Sequence, residues 1–336
     1  MSDRAGGHIG VLGAGSWGTA LAVLLCRNGR RVRLWGHLPE HMEALRRERE
    51  NREFLPGVSL PAELLPVDTI EDVLRGAQDL LIAVPSHAFA AALRALPVSL
   101  LSGVGVAWAT KGFEPGSDRL LHQVAEEVLG ARDFAAISGP SFAREVALGL
   151  PTAITVASPS PDHARRVADY LHSDRFRAYT SDDLIGVQVG GAAKNVLAIA
   201  TGIADGLGFG ANTRAALITR GLAELIRFGM ALGGRQETFM GLAGLGDLVL
   251  TCTDNQSRNR RMGLALARGL TVEDARAEIG QEVEGVMSSR SVYSMAHRLG
   301  VEMPISEQVY GVLYRGVTPD QATQNLLDRS SKAEFY

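Results

Sequence analysis

The run Gly13-Ala14-Gly15-Ser16-Trp17-Gly18 constrains what this chain can fold into more than any other segment. It follows the aliphatic stretch His8–Leu12 and leads into the helix-like stretch Ala20–Arg27. Strand, glycine turn and helix in that order form the first βα unit of a nucleotide-binding sheet. Each glycine has its own task. Gly13 permits a tight turn, Gly15 lets the backbone approach a pyrophosphate, and Gly18 lets helix and strand pack closely. The helix N-terminus then offers unpaired N–H groups to phosphate oxygens. A ligand-free glycine turn would share the pattern, so the flanking strand and helix carry the reading.

The segments that follow repeat the alternation. Further strands are expected at Arg31–Trp35, Leu80–Val84, Val104–Ala109, Ala135–Ile137 and Ala153–Val156, and helices at His41–Arg49, Leu120–Leu129 and His163–Leu171. That pattern predicts a doubly wound α/β, Rossmann-like domain with a parallel sheet over residues 1–185. From about Ile185 the strand signals fade. Apolar residues recur at helical spacing in Leu217–Met230 and Val286–Leu299, so residues 186–336 are expected to form an all-helical domain packed closely on the first, with a cleft between. A chain of 336 residues suits two domains.

The second strand ends Arg33-Leu34-Trp35-Gly36-His37, without the carboxylate that usually holds the ribose hydroxyls of NAD. Nothing there would repel a 2′-phosphate, so NADP is expected, with NAD also open. His37, Arg33, Arg46 and Arg47 are the candidate partners of that phosphate, although the last two also suit a solvated helix face.

Composition excludes several classes. A formal charge of −3 gives no global attraction to nucleic acid or anionic membrane. Cys26 and Cys252 form no C-x-x-C pattern, so neither a disulfide framework nor a thiolate zinc site is indicated and a reducing cytoplasm fits. His37 and His41 straddle a strand end and the next helix with no further ligand nearby, so no metal is expected. The N-terminal residues Met1–Gly7 carry no export signal, and the apolar run Val196–Ala204 is far shorter than the roughly 20 residues of a membrane span.

Polar residues cluster where structure alone does not demand them. Val84-Pro85-Ser86-His87, Ala109-Thr110-Lys111-Gly112 and Ser138-Gly139-Pro140-Ser141-Phe142-Ala143 each follow an expected strand, on the sheet edge where ligands bind in open α/β folds. Each is also an acceptable plain turn. In the helical half, Gly190-Gly191-Ala192-Ala193-Lys194-Asn195 sets a lysine in an apolar helix. Lys194 either snorkels to the surface or has a task. Burial and a neighbouring Lys111 would lower its pKa toward neutrality, as proton exchange with a substrate hydroxyl requires. Asp247, in Gly244-Leu245-Gly246-Asp247, supplies a carboxylate. Ser257, Arg258 and Asn259 supply hydroxyl, guanidinium and amide donors suited to a phosphate dianion, or to a solvated surface.

Taken together, GAGSWGTALA from Gly13, WATKG from Trp108, SGPSFARE from Ser138, the long run GGAAKNVLAIATGIADGLGFGANTRAALITRGLAE from Gly190, GLAGLGDLVLTCTDNQSRNRR from Gly241 and GVEMPISEQVY from Gly300 resemble the bacterial-type NAD(P)-dependent glycerol-3-phosphate dehydrogenases. The resemblance runs from the first strand to about residue 328. It implies a helical second domain like the C-terminal domain of 6-phosphogluconate dehydrogenase. It also implies reversible hydride transfer between NAD(P)H and dihydroxyacetone phosphate, giving sn-glycerol 3-phosphate for glycerophospholipid synthesis. A homodimer is compatible with it.

By the same carry-over, Ser16, Trp17, His37 and Ala143 contact the dinucleotide together with Gly13, Gly15 and Gly18. Lys111 sits where cofactor and substrate meet, and Lys194 is the proton donor and acceptor. Gly139, Ser141, Asp247, Ser257, Arg258 and Asn259 line the substrate pocket, with Arg258 and Glu284 also near the cofactor. Asn195 and Asp247 are expected to orient the lysine and the substrate hydroxyls. Glu282 departs from the aliphatic residue common in the family and is given no cofactor contact. The rival readings are a ketopantoate or β-hydroxyacid reductase, whose substrates carry carboxylate in place of phosphate, and a non-catalytic nicotinamide sensor, which has no need of a buried lysine.

Overall fold

The computed structural model describes residues 7–330; most of the N-terminal stretch read above as carrying no export signal lies outside the described residues. Ten strands are present among the described residues: β1 His8–Leu12, β2 Val32–Trp35, β3 Glu50–Asn51, β4 Leu55–Ser59, β5 Leu64–Pro66, β6 Ala77–Ile82, β7 Gly105–Trp108, β8 Phe134–Ser138, β9 Thr152–Ala157 and β10 Phe176–Ser181. Eight build one sheet in the order β10-β9-β8-β7-β6-β1-β2-β5, while β3 and β4 form a separate hairpin. From β5 to β8 the pairs are all parallel and follow the Rossmann order, with the chain reversal falling between β1 and β6.

The sheet departs from the parallel expectation at one place, since β8 and β9 pair antiparallel. Between them the chain forms only the six-residue helix Ala143–Leu148, about 9 Å long. That helix packs on the helix Ser16–Arg27, and the chain re-enters the sheet from the same edge. β10 then runs parallel to β9. Neither β5 nor β10 was expected: β5 contains Pro66, and β10 reads Phe-Arg-Ala-Tyr-Thr-Ser with most side chains at least partly exposed. Both are edge strands, where proline and polar residues are tolerated.

Leu12, Ile82, Trp108 and Ala136 stand in register across β1, β6, β7 and β8. The loops that leave these strands therefore emerge at one level. Trp108 anchors the sheet from beneath that edge, fully buried between Phe89 and Phe134 at ring separations of 5.6 and 5.7 Å.

The helical half is built around the helix Leu184–Gly206. Asp183 caps it, its carboxylate accepting from the Gly186 N–H at 2.8 Å. Helices Ala211–Ala231, Arg258–Ala267, Glu284–Leu299 and Pro304–Tyr314 pack around it, and its near end lies against β8 and β9. Leu184, Val187 and Ala243 thus share one apolar cluster with Leu12, Ile82 and Trp108 of the sheet. At 23 residues this helix is long and apolar enough to cross a membrane, which the short run Val196–Ala204 did not suggest, but 94% of its most apolar window is buried inside the protein. It is the core helix of this half.

Candidate active site

The glycine loop joins β1 to the helix Ser16–Arg27. Gly13 has φ +111°, and a Cβ there would sit 2.6 Å from the Ala83 carbonyl oxygen; one on Gly18 would sit 1.8 Å from that of Gly13. Both positions exclude a side chain. Gly15 differs, because a Cβ on it would meet nothing within 4 Å. The helix N-terminus beside it has no side-chain cap. Open space against uncapped N–H groups is a cradle that fits a pyrophosphate.

Around this loop the expected contact residues are spread unevenly. Trp17 packs on the core cluster beneath the loop, with its indole Nε1 buried and without a hydrogen-bond partner. Ala143 opens the helix Ala143–Leu148 and packs on the same cluster. His37 is exposed just beyond β2. The arginines proposed for a 2′-phosphate are engaged elsewhere: Arg33 donates to the Asp72 carbonyl at 2.5 Å, Arg46 pairs with Asp68 at 2.6 Å and Arg47 with Glu48 at 2.9 Å. Among the four candidates His37 is left without a protein partner.

The next loops along the same sheet edge carry the charged groups. Lys111 follows β7, and its Nζ donates to the Gly139 carbonyl at 3.0 Å and to Asp247 Oδ2 at 2.7 Å. The Ser141 hydroxyl donates to that same Gly139 carbonyl at 3.0 Å. From the other half, Lys194 Nζ donates to Asp247 Oδ1 and, at 2.8 Å, to the Thr251 hydroxyl. Asp247 is only 1% exposed and so bridges two lysines within the protein. One carboxylate shared by two ammonium groups leaves net positive charge.

Local structure explains the bridge. A π-helical turn, Leu242–Gly246, lifts the chain into the helix Asp247–Thr253. Gly190 lets this turn approach the central helix, since a Cβ there would lie 2.4 Å from the Ala243 carbonyl oxygen. Asp247 and Thr251 are four residues apart and face Lys194 together. Burial pushes the Lys194 pKa down to about 8, against the upward pull of Asp247 and with the help of Lys111. The surface-snorkelling alternative is thereby excluded, because Lys194 is 6% exposed.

Asn195 does not orient Lys194. Successive helical residues diverge by about 100°, and its side chain turns to Asn259, whose Nδ2 donates to Asn195 Oδ1 at 2.9 Å. Asn259 Oδ1 accepts from the Gly285 N–H at 2.8 Å, so the two amides tie three helices together. Ser257 caps the helix Arg258–Ala267 by accepting from the Arg260 N–H at 3.2 Å. The side chain of Arg258, at the first position of that helix, has no hydrogen bond to the protein among the described residues. Burial lowers its pKa while Glu284 opposes the shift. Glu284 faces the first half, accepting from the Ser86 N–H at 2.9 Å and its hydroxyl at 2.6 Å, and burial raises its pKa against those bonds. Glu282 pairs with Arg276 at 3.3 Å.

Sequence reasoning missed Thr251 and the buried Ser138 hydroxyl, which has no partner and faces Gly191. The first was findable from its i+4 spacing to Asp247; the second had no signal beyond its motif. Among the described residues no group of three or more His, Cys, Asp or Glu converges as a metal site.

The family model described as NAD-dependent glycerol-3-phosphate dehydrogenase N-terminus matches residues 8–164, and that of the C-terminus matches residues 183–324. A glycerol-3-phosphate dehydrogenase [NAD(P)+] from Shewanella halifaxensis is 54% identical over 97% of this chain and 97% of its own length. The chain belongs to this family. A member from Vibrio cholerae is 53% identical, covering 96% of this chain and 95% of that protein. The crystal structure of a Coxiella burnetii glycerol-3-phosphate dehydrogenase superposes with a TM-score of 0.92 at 47% identity, covering 96% of this chain and 99% of that one.

Proposed function

We propose that this chain interconverts dihydroxyacetone phosphate and sn-glycerol 3-phosphate with NAD(P), and that Lys194 moves the proton. The observation that carries the reading is the Lys111–Asp247–Lys194 bridge at the junction of the halves. The open space at Gly15 and the uncapped helix behind it would hold the dinucleotide, with Ser16, Trp17, His37 and Ala143 around it. When bound, the reduced nicotinamide supplies the hydride.

With a pKa of about 8, Lys194 is mostly protonated at neutral pH and donates to the C2 oxygen of the ketone as negative charge develops there. In the reverse direction the neutral amine takes the hydroxyl proton. Lys111 stabilises the same developing charge, and Asp247 holds both ammonium groups in place. Arg258, with Ser257, Asn259 and the helix N-terminus behind them, takes the phosphate; its free donors favour phosphate over the single carboxylate of a ketopantoate-type substrate. Gly139 and Ser141 border the substrate beside Lys111. Residues 1–185 would then form the dinucleotide-binding domain and 186–336 the helical domain that supplies Lys194, Asp247 and the phosphate donors, and the product would feed glycerophospholipid synthesis in the cytoplasm.

The test is to follow oxidation of NADPH and NADH with dihydroxyacetone phosphate present. Turnover that glycerol 3-phosphate and inorganic phosphate inhibit competitively is expected. Absence of turnover with both cofactors would overturn the proposal.

A further inference from the structure

The glycine loop is held from behind by a residue that lies far from it in sequence. After the helix Pro39–Glu48 the chain forms the β3–β4 hairpin outside the main sheet. Asn51 of β3 is fully buried. Its amide donates to the Ala14 carbonyl at 2.9 Å and to the Thr19 hydroxyl at 2.8 Å, while its carbonyl accepts from the Phe54 N–H at 3.1 Å. The partners settle the orientation of the amide: Phe54 N–H can only donate and Ala14 C=O can only accept. All the capacity of Asn51 used here is directed at the loop, at the helix that follows it, or at its own hairpin.

A trans peptide is planar, so its C=O and the next residue's N–H point in opposite directions. Holding the Ala14 carbonyl inward, against Asn51, turns the Gly15 N–H away from the hairpin. That N–H has no protein acceptor among the described residues. We infer that Asn51 is a positioning residue for the cofactor: it locks the Ala14–Gly15 peptide so that the Gly15 N–H and the helix N-terminus are presented to the pyrophosphate. The inference rests on the assignment of the Gly13–Gly18 loop to the dinucleotide. Without Asn51 the Ala14 carbonyl, left buried with only the longer contacts from Thr19 at 3.4 Å and His41 at 3.3 Å, gains by rotating its peptide.

The experiment measures binding of NADPH and of ADP-ribose, which keeps the pyrophosphate but lacks the nicotinamide, to the ligand-free protein by isothermal titration. For Asn51→Ala both affinities should fall about tenfold, the equivalent of one buried hydrogen bond, while the KM for dihydroxyacetone phosphate and kcat at saturating NADPH stay within about twofold. Thr19→Val, which removes the second acceptor of the amide, should weaken both ligands in the same sense but less, and Thr19→Ser should restore them. If Asn51→Ala does not fold, the Thr19 pair decides. Unchanged NADPH and ADP-ribose affinity in folded Asn51→Ala would overturn the inference, as would a parallel rise in the KM for both substrates. Gly15→Ala separates the two claims. If it binds both ligands normally, the loop assignment itself fails and the inference with it; if it loses them while Asn51→Ala does not, only the role of Asn51 is rejected.

Discussion

The glycine loop and the lysine bridge sit on the same edge of the sheet but are built on opposite principles. In the loop, backbone does the work: glycines at 13 and 18 remove atoms that would collide, and Gly15 leaves a space. The bridge depends on side chains from three distant segments, whose charges meet only after folding and among which exclusion of water lowers the proton affinity of Lys194. The loop should therefore respond to added volume and be indifferent to pH. The bridge should respond to charge and pH.

The sharpest way to break that contrast is Lys194→Met. We expect kcat to fall by about 10²- to 10⁴-fold, the usual worth of a positioned acid or base, with NADPH affinity by titration unchanged. Substantial remaining turnover would remove Lys194 from its role. The loop offers an internal contrast of its own. Gly18→Ala forces a Cβ to 1.8 Å from the Gly13 carbonyl oxygen and should cost about 1–3 kcal/mol of stability in denaturant titration. Gly15→Ala meets no such obstacle, so its Tm should match the parent while NADPH affinity drops about tenfold or more. Equal stability losses in the two variants would mean that Gly15 faces no ligand space.

A smaller effect concerns pH. Oxidation of glycerol 3-phosphate needs neutral Lys194 and should rise through about pH 8, whereas reduction, which needs the ammonium form, should decline over the same range. Asp247 pulls the Lys194 pKa upward, so Asp247→Asn should move the oxidative limb to lower pH. A limb that stays in place would show that another group sets it.

The smallest expected effect lies outside the site. Glu224 is buried and caps the helix Pro304–Tyr314, accepting from the Ile305 N–H at 2.6 Å and the Ser306 N–H at 3.1 Å. Burial raises its pKa to about 7 against those bonds. The folded state therefore holds this proton to higher pH than the unfolded chain does. Its contribution to stability is largest at acid pH, declines from the ordinary carboxyl range to about pH 7, and is level above that. Glu224→Gln should flatten this part of the stability curve, as read by urea titration at several pH values. An unchanged slope would assign it to another group.

Legibility divides along the same line as the chemistry. The unit β1, loop and helix was readable because all its determinants lie within some twenty consecutive residues, and the central strands because fully buried parallel strands are continuously apolar. β5 and β10 were not, since edge strands keep proline and polar side chains. The antiparallel direction of β9 is not written in the strand, whose residues Thr-Ala-Ile-Thr-Val-Ala suit either direction. Lys194 stood out as a charge in an apolar helix, and Lys111, Asp247 and Arg258 as members of motifs, but only the fold put both lysines on one carboxylate.

The fold also settled competitions that a linear reading leaves open. Arg33, Arg46 and Arg47 all lie near the second strand, and each found a protein partner, whereas His37 did not. Asn195, adjacent to Lys194 in the chain, turned to Asn259, and Asn51 reached back 37 residues to hold Ala14. Backbone conformation depends on short-range sterics, so glycine spacing and strand or helix period reveal it residue by residue. Electrostatic partnership depends on distance through a low-dielectric interior, and those distances exist only once the two halves have packed.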